Sequence, residues 1–296
     1  MSISWWEIKV LCDPRLEESV FWRLQNCGFS GTATEIKGKL LFLRAYLPQS
    51  QVKPMDLAAI AKWLQQDAQN IGLPTPVIAW ELIPEQDWQD SWKQHWQPRA
   101  IGDRFLIYPA WINPPPSSER LILRLDPGTA FGTGEHPTTQ LCLEALAMHF
   151  YTPPTTQQIV VDIGCGSGIL SLGALMLGAT KVYGVDTDSL AITSAIQNRE
   201  LNKISPAQVS LYQGSVPELR THLQAPVDGI VCNILAEVII DLIPQMTEIA
   251  KPSTWAILSG LVLDQIQPVV DVLEEYHWSL STIWKRGEWC CLNLRK

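Results

Sequence analysis

The feature that most constrains this chain is a strand, a glycine-rich turn and a helix in direct succession. Residues Ile159-Val160-Val161 have the continuous β-branched character of a parallel strand that is covered on both faces. Gly164, Gly166 and Gly168 follow, and they allow tight turning and the close approach of a ligand. The apolar stretch 169–177 predicts a buried helix that ends at the next glycine. The strand, the glycine loop (164–168) and the helix together predict a nucleotide-type site in an α/β fold.

Two classes of cofactor suit such a loop, namely dinucleotides and S-adenosylmethionine. The dinucleotide pattern G-x-G-x-x-G is broken, because Ile169 takes the place of its third glycine. Asp162 lies at the strand end, where its negative charge would oppose a pyrophosphate resting on the helix N-terminus. S-adenosylmethionine carries a sulfonium and an ammonium but no phosphate, so Asp162 favours that cofactor. The alternative interpretation of Asp162 is a helix-capping residue.

The segments after the glycine loop continue the alternation of strands and helices. A second strand is predicted over 181–186, and its terminal acid, Asp186, falls where the ribose of a nucleotide would lie. The other predicted elements are helices over 189–201 and 236–249, strands over 209–213, 228–233 and 255–260, and a closing hairpin of strands over 276–282 and 288–294. This alternation predicts a doubly wound, Rossmann-like domain.

Asn233 ends the fourth of these strands, across the predicted topological switch point from the glycine loop, where ligands of open α/β sheets collect. Its side-chain carbonyl and the backbone carbonyl of Ile234 could accept hydrogen bonds from an incoming amine and aim the lone pair of that amine. Asn233 is therefore the catalytic candidate. A structural asparagine at a strand end is the alternative.

A second glycine-punctuated loop, 125–136, precedes a further predicted helix. Pro137 suits the first turn of that helix, and Thr138 and Thr139 would present hydroxyl and N–H groups near its N-terminus, where a carboxylate can be held. A plain connection would not need so many glycines beside an exposed Phe131. The loop is therefore predicted to face a ligand.

The first third of the chain has a different order of elements. Strands are predicted over 5–12, 29–36, 40–47 and 76–83, and helices over 14–27 and 54–70. This βαββαβ order predicts a small ferredoxin-like α+β sandwich, a fold that does not by itself name a function. Trp88, Trp92 and Trp96 then have helical spacing, which indicates a helix with one aromatic face, either packed between domains or used as a substrate platform. The predicted boundaries are 1–83 for the first domain, 84–99 for the linker helix and 100–296 for the second domain.

Composition restricts the function further. Of the 296 residues, 46% are hydrophobic and 18% charged, which is typical of a soluble globular protein, and no apolar run is long enough to span a membrane. The net charge of −8 argues against direct nucleic-acid binding. No secretory signal is apparent, and seven cysteines without a Cys-x-x-Cys pair fit reduced thiols. We therefore expect a cytoplasmic protein, a monomer without a bound metal.

The residues at these sites resemble one family, the methyltransferases that modify large-subunit ribosomal protein eleven. The matching stretches are 125–139, 162–170, 233–236 and 258–260. The first of them is the most specific, and the likeness covers most of the chain beyond about residue 80. The N-terminal domain matches the family in element order rather than in residues.

This resemblance implies an S-adenosylmethionine-dependent enzyme that methylates lysine side chains and the N-terminal amine of the ribosomal protein. It implies that the N-terminal domain recognises that substrate and that the domain after the linker is catalytic. The implied cofactor contacts are Thr139, Gly164, Asp186 and Asn233, with Phe131, Gly132 and Gly134 in a loop over the cofactor. The glycine-loop argument adds Asp162 and Gly166 to these contacts.

The reaction is predicted to be a direct in-line attack of a neutral amine on the sulfonium methyl group, with alignment rather than a dedicated base providing most of the rate. Three rival functions stay open at this point. One is a methyltransferase of another protein, RNA or a small-molecule amine, although the acidic balance speaks against RNA. Another is an NAD-linked dehydrogenase, which Asp162 and Ile169 disfavour. The third is a non-enzymatic protein-binding module that keeps the fold.

Overall fold

The computed structural model describes residues 4–29, 31–84, 96–115, 117–126, 132, 134–152 and 154–296. The chain divides into two compact units, Met1–Trp96 and Gln97–Lys296. Most of the predicted linker helix falls on residues 85–95, which lie outside the described residues, as do Trp88 and Trp92. At the two ends of the predicted linker, Pro84 closes a strand and Arg99 opens one, so neither end is helical.

The first unit has the predicted βαββαβ order. Its elements are β1 Ser4–Cys12, a 3-10 helix Pro14–Leu16, α1 Glu17–Asn26, β2 Gly31–Lys37, β3 Leu40–Pro48, α2 Pro54–Asn70 and β4 Val77–Pro84. The strands form one antiparallel sheet in the order β2-β3-β1-β4. The first predicted helix is divided, because Asp13 accepts a hydrogen bond from the N–H of Arg15 (3.0 Å) and caps a separate 3-10 turn.

The packing of the first unit follows from two sequence periodicities. In β1, alternate residues such as Ile8 and Val10 are completely buried. In α2, the buried residues Leu57, Ile60 and Leu64 are three or four positions apart and so lie on one helical face. Because both sets belong to one buried cluster, the helical layer covers one face of the sheet.

The second unit alternates strands and helices. Its elements are β5 Arg99–Ile101, β6 Phe105–Pro109, β7 Leu121–Leu125, α3 Pro137–His149, β8 Ile159–Ile163, α4 Ile169–Leu177, β9 Lys181–Asp186, α5 Ser189–Leu201, β10 Val209–Gln213, α6 Val216–Arg220, β11 Val227–Asn233, α7 Ala236–Ile249, β12 Ala250–Val262, a 3-10 helix Leu263–Gln265, α8 Ile266–Glu275, β13 Ser279–Arg286 and β14 Trp289–Arg295.

Seven strands of the second unit form its main sheet, in the order β10-β9-β8-β11-β12-β14-β13. The first five run parallel, whereas β14 is antiparallel to both β12 and β13. From β8 the chain proceeds outward to β9 and β10, then crosses back to β11 on the other side of β8. This is the predicted doubly wound sheet with its switch point between β8 and β11, where a ligand crevice forms.

Some elements of the second unit differ from the prediction. Leu121–Leu125 is a strand that pairs in parallel with β6, within a small separate sheet β5-β6-β7. Helices α6 and α8 were not predicted. The last hairpin begins at Ser279 rather than Tyr276, because α8 continues to Glu275 and Tyr276 is its C-cap.

Candidate active site

The main predicted site residues lie side by side at the ends of three neighbouring strands. Ile163 in β8 pairs with Val185 in β9 on one side and with Cys232 in β11 on the other. The next residues along the three strands are Gly164, Asp186 and Asn233. Parallel pairing therefore places residues that are up to 69 positions apart side by side at the switch point.

The glycine loop turns tightly because its backbone repeatedly adopts positive φ. The angle is +72° at Gly164, +53° at Gly166 and +80° at Gly168. A Cβ atom on Gly164 would lie only 2.4 Å from Cγ2 of Ile234, so the close approach of the two segments requires glycine there. The N–H of Gly164 donates to the carbonyl of Val185 (2.8 Å), which fixes the start of the loop to the end of β9.

Asp162 is buried at the end of β8. Its Oδ2 accepts a hydrogen bond from Oγ of Ser171 at 2.6 Å, while its Oδ1 has no hydrogen-bond partner among the described residues. Burial raises the pKa of Asp162 from 3.8 to about 7; the hydrogen bonds from Ser171 oppose this rise, and the negative charge of Asp186 adds to it. The carboxyl group therefore binds a side chain in the first turn of α4 and keeps one oxygen for another donor. It is not the cap of that helix, because the N-cap is Gly168, which has no side-chain cap bond.

Asp186 is half-buried and held by backbone donors. Its Oδ2 accepts from the N–H of Gly166 at 2.9 Å, and its Oδ1 accepts from the N–H of Asp188 at 3.0 Å. Asp188 in turn caps α5 by accepting from the N–H of Leu190 (2.8 Å). The Asp186 carboxylate is thus fixed between the glycine loop and α5, and each oxygen can accept a further hydrogen bond.

Asn233 and Thr139 meet across the site. Nδ2 of Asn233 donates to Oγ1 of Thr139 at 3.4 Å, whereas Oδ1 of Asn233 is buried without a partner in the described part of the chain. Thr138, in contrast, is engaged locally: its Oγ1 lies 2.7 Å from Nδ1 of His136, which also accepts from the Thr138 N–H (3.4 Å) and caps α3. Of the two predicted threonines, Thr139 is the one that faces the candidate catalytic side chain.

The loop before α3 touches the glycine loop at one described position. The carbonyl of Gly132 accepts a hydrogen bond from Oγ of Ser167 at 2.7 Å. Gly134 instead packs among apolar side chains, since a Cβ there would lie 3.3 Å from both Ile107 and Ile169. Phe131 lies outside the described residues, as do 127–130 and 133, so its predicted position over a ligand stays a prediction.

Known proteins resemble this chain over nearly its full length. Residues 4–296 match the family described as "Ribosomal protein L11 methyltransferase (PrmA)". The chain belongs to this family. A ribosomal protein L11 methyltransferase from a Cyanothece species is 52% identical over 298 residues, with 100% of both chains covered. Another, from Thermosynechococcus vestitus, is 48% identical over 296 residues, with 98% of this chain and 97% of that one covered.

A solved structure supports the same assignment. The ribosomal protein L11 methylase from Lactobacillus delbrueckii subsp. bulgaricus is 32% identical, with a TM-score of 0.60, and the match covers 68% of this chain and all of that one (100%). The protein is therefore a methyltransferase with a Rossmann-like catalytic domain, and S-adenosylmethionine is its cofactor. Neither the dehydrogenase nor the non-enzymatic alternative fits this family.

The site of this methyltransferase fits that cofactor through two buried acceptor atoms. Oδ1 of Asp162 and Oδ1 of Asn233 lack partners among the described residues, and leaving a buried acceptor unpaired costs about 1–3 kcal/mol. Donor groups of a bound ligand or of ordered water would remove that cost. A cationic ligand suits Asp162 in particular, since a positive charge nearby favours the ionised carboxylate.

Sequence reasoning missed three polar residues that support the methyltransferase site: Ser167, Ser171 and Asn198. All three are buried, Ser171 within the apolar helix α4 and Asn198 on the inner face of α5. A polar residue at a buried helical position was the available signal, because such a side chain needs a partner inside the protein.

The loop before α3 is also anchored at its far end. Nε2 of Gln140 donates to the carbonyl of Glu135 (2.8 Å), and Oε1 of Gln140 accepts from the Arg286 guanidinium (2.7 Å).

All seven cysteines are free thiols. In the described part of the chain no helix is long and apolar enough for a membrane span. Nor do the described His, Cys, Asp and Glu side chains form a group of three or more that could hold a metal ion.

Proposed function

We propose that this enzyme methylates lysine side chains and the N-terminal amine of ribosomal protein L11. The two curated relatives are both named for that substrate, which supports the assignment. Asn233 is the residue that supports methylation of an amine. Its buried Oδ1 has no partner among the described residues, and the residue lies at the switch point beside Gly164. A chain with a net charge of −8 also suits a basic, lysine-bearing substrate.

We assign the cofactor contacts on the same geometry. Asp186 accepts from the ribose hydroxyls, because both of its oxygens are oriented by backbone N–H groups and retain free lone pairs. Asp162 provides the negative charge that favours a cationic cofactor. The remaining proposed contacts are Thr139, Gly164, Gly166 and Asn233, with Phe131, Gly132 and Gly134 in the loop over the cofactor.

Bound S-adenosylmethionine supplies a methyl group made electrophilic by its sulfonium sulfur. Asn233 accepts a hydrogen bond from the substrate amine through Oδ1 and aims the amine lone pair, while Thr139 holds the other end of the amide at 3.4 Å. A lysine amine, with a reference pKa of about 10.4, must lose a proton before it attacks, and a neighbouring positive charge favours that loss. Solvent takes the proton, and no side chain is assigned as a base.

The carbonyl of Ile234, the second acceptor suggested by sequence, packs closely against β12. Gly260, with φ of +88°, lies against it, and a Cβ on Gly260 would be 2.1 Å from the carbonyl oxygen. The N–H of Ile234 donates to the carbonyl of Ser259 (3.2 Å). This packing against the end of β12 fixes the peptide after Asn233, so we assign the amine hydrogen bond to the Asn233 side chain.

Transfer of a labelled methyl group tests the substrate. Ribosomal protein L11, ribosomal RNA and free amino acids are offered in parallel, and mass spectrometry locates the label. We expect label on lysine side chains and the N-terminal amine of L11. Label confined to RNA or to free amino acids would refute the proposed substrate and leave the methyltransferase assignment intact.

The role of Asn233 is tested by Asn233→Ala, with Asn293→Ala as the matched control in the same sheet. Nδ2 of Asn293 lacks a partner among the described residues, so this control removes the same amide group, whereas Asn233→Ala additionally removes the 3.4 Å bond to Thr139. We expect kcat to fall about 100-fold in Asn233→Ala, because misplacement of a reacting group by about 1 Å costs that much. Full turnover with unchanged cofactor affinity would refute the alignment role.

We further propose that the first unit (1–83 in the sequence-based division) recognises the ribosomal protein, with 84–99 as the linker and 100–296 as the catalytic domain. A monomeric, cytoplasmic enzyme without direct nucleic-acid contact suits this assignment. Light scattering of the purified chain at micromolar concentration measures the oligomeric state, and a dimer mass would refute the monomer.

A further inference from the structure

The guanidinium of Arg286, the last residue of β13, binds two side chains of α3. Its Nη1 donates to Oε1 of Gln140 at 2.7 Å, and its Nη2 donates to both carboxylate oxygens of Glu144, at 3.1 and 2.9 Å. Gln140 and Glu144 are four residues apart and therefore lie on one face of the helix. Arginine suits this set of acceptors because its N–H donors form a planar fork, whereas a lysine ammonium is a point charge on a flexible stem. A hydrogen bond and a two-bond ion pair thus join the hairpin β13–β14 to α3.

The same hairpin also contacts the residue before α3. Trp289 in β14 is paired with Arg286 across the turn, and its ring is edge-on to that of His136, the N-cap of α3, with the ring centroids 4.7 Å apart. Nε2 of Gln140 donates to the carbonyl of Glu135 at 2.8 Å, so the amide that Arg286 binds also holds the chain just before the N-cap. The hairpin therefore fixes the beginning of α3 through a ring contact and through this shared amide.

Thr139 is the residue of α3 that this arrangement places in the site. It precedes Gln140 in the helix, but its side chain is fully buried, and its Oγ1 accepts from Nδ2 of Asn233 at 3.4 Å. That distance is at the long limit of a hydrogen bond, so a displacement of α3 away from Asn233 by about 0.3 Å would break the contact. Asn233 belongs to β11 and Arg286 to β13, and β12 and β14 lie between these two strands in the sheet. The helix is therefore bound by the site at one place and by the hairpin at another.

The exposure of the ion pair argues for a role in orientation rather than in overall stability. The side chain of Arg286 is 39% exposed and that of Glu144 is 23% exposed, and ion pairs that water reaches contribute little to the free energy of unfolding. Their bonds nevertheless have fixed directions, because a bidentate arginine–carboxylate pair adds geometric specificity. Loss of the pair should therefore disturb the placement of α3 more than it disturbs the fold.

We propose that Arg286 is a positioning residue for methyl transfer: through its bonds to α3 it keeps Thr139 against Asn233. The inference rests on the proposed role of Asn233 in aligning the substrate amine. With Arg286 in place, Nδ2 of Asn233 stays on Thr139, and Oδ1 stays available to the amine. Without Arg286 the amide of Asn233 is held less firmly, so turnover falls more than cofactor affinity does.

The test measures methyl transfer to ribosomal protein L11 and the Kd of S-adenosylhomocysteine, on the full chain. Arg286→Met removes every donor of the guanidinium and keeps an unbranched side chain. We expect kcat to fall about tenfold, less than the about 100-fold effect of a displacement of about 1 Å, and Kd to change by less than about threefold. Arg220→Met is the matched control, because it breaks an arginine–glutamate pair between α6 and α7; both quantities should stay within twofold of the parent.

A double-mutant cycle with Thr139→Val separates positioning from a merely structural role. Thr139→Val keeps the shape of the side chain and removes the hydroxyl that Asn233 contacts. If Arg286 acts through Thr139, Arg286→Met lowers kcat less than twofold once that hydroxyl is gone. A general loosening of the fold would lower kcat by the same factor in both backgrounds, and that result would overturn the proposal. A kcat of Arg286→Met within twofold of the parent would overturn it as well.

A second variant and the Asn233→Ala variant separate the remaining outcomes. If Arg286→Met does not fold, Gln140→Met, which removes the amide that Arg286 binds, goes through the same cycle and decides alone. Failure of the proposed function gives a different result: the parent then leaves L11 unlabelled, or Asn233→Ala retains full turnover, and the positioning role falls with it. Label on L11 and lost turnover in Asn233→Ala, together with normal turnover in Arg286→Met, would refute only the positioning role.

Discussion

Asp162 and Asp186 lie at the ends of neighbouring parallel strands, yet their carboxyl groups differ in burial and in hydrogen bonding. Asp186 is half-buried, and backbone N–H groups bind both of its oxygens, at 2.9 and 3.0 Å. Asp162 is fully buried, with one oxygen bound to Ser171 and the other without a partner among the described residues. Asp186 is therefore an acceptor already oriented for a ligand, whereas the charge of Asp162 depends on whether a cation is present.

The largest expected effect is that of Asp186→Ala. Two hydrogen bonds from a ligand to a charged group are worth about 1.5–3 kcal/mol each, so we expect the Kd of S-adenosylhomocysteine to rise at least about 100-fold. Calorimetry measures this change. Asp188→Asn is the matched control, because it removes a neighbouring charge and keeps an N-cap for α5; we expect a change below twofold. Binding by Asp186→Ala within threefold of the parent would contradict the preoriented acceptor.

The two acids also differ in how far the sequence predicts their surroundings. The position of Asp186 follows from a strand over 181–186, a local pattern, and the glycine loop follows equally locally from its spacing. The raised pKa of Asp162 is not local, because it depends on how α4 and β9 bury the carboxyl group. Strand β7 escaped prediction for the same reason: its last residues are held by Asn202, whose bonds to Arg124 span 78 positions.

The second expected effect is on stability without cofactor. The pKa of Asp162 rises from 3.8 to about 7 on folding, so its stabilising contribution is complete below pH 4 and is lost as the pH increases through 7. Between pH 5.5 and 7.5 the loss amounts to about 2 kcal/mol. Urea unfolding of the parent and of Asp162→Asn, without ligand, measures this loss. The transition to follow is the one that added S-adenosylhomocysteine shifts to higher urea concentration. The variant lacks this contribution, and equal pH slopes in both proteins would contradict it.

A cationic ligand should reverse that pH dependence. Only the ionised carboxylate attracts the ligand ammonium, so we expect cofactor affinity to increase roughly tenfold between pH 6 and 7.5. Above about pH 8 the ligand amine itself loses its proton, which ends the rise. Calorimetry of S-adenosylhomocysteine across this range measures the effect. In Asp162→Asn the increase should disappear; a persisting increase would assign it to another group.

The smallest expected effect concerns the hydrogen bond that keeps the pKa of Asp162 from rising further. The 2.6 Å hydrogen bond from Ser171 favours the ionised form, so Ser171→Ala should raise the pKa of Asp162 further and shift the midpoint of the affinity curve to higher pH. At pH 7.5 this shift weakens binding, and the difference shrinks as the pH increases. A purely structural loss would weaken binding equally at every pH, so parallel curves for parent and variant would contradict the role of Ser171. A shifted midpoint would instead establish that the partners of Asp162, rather than its burial alone, set the pH at which the site accepts a cation.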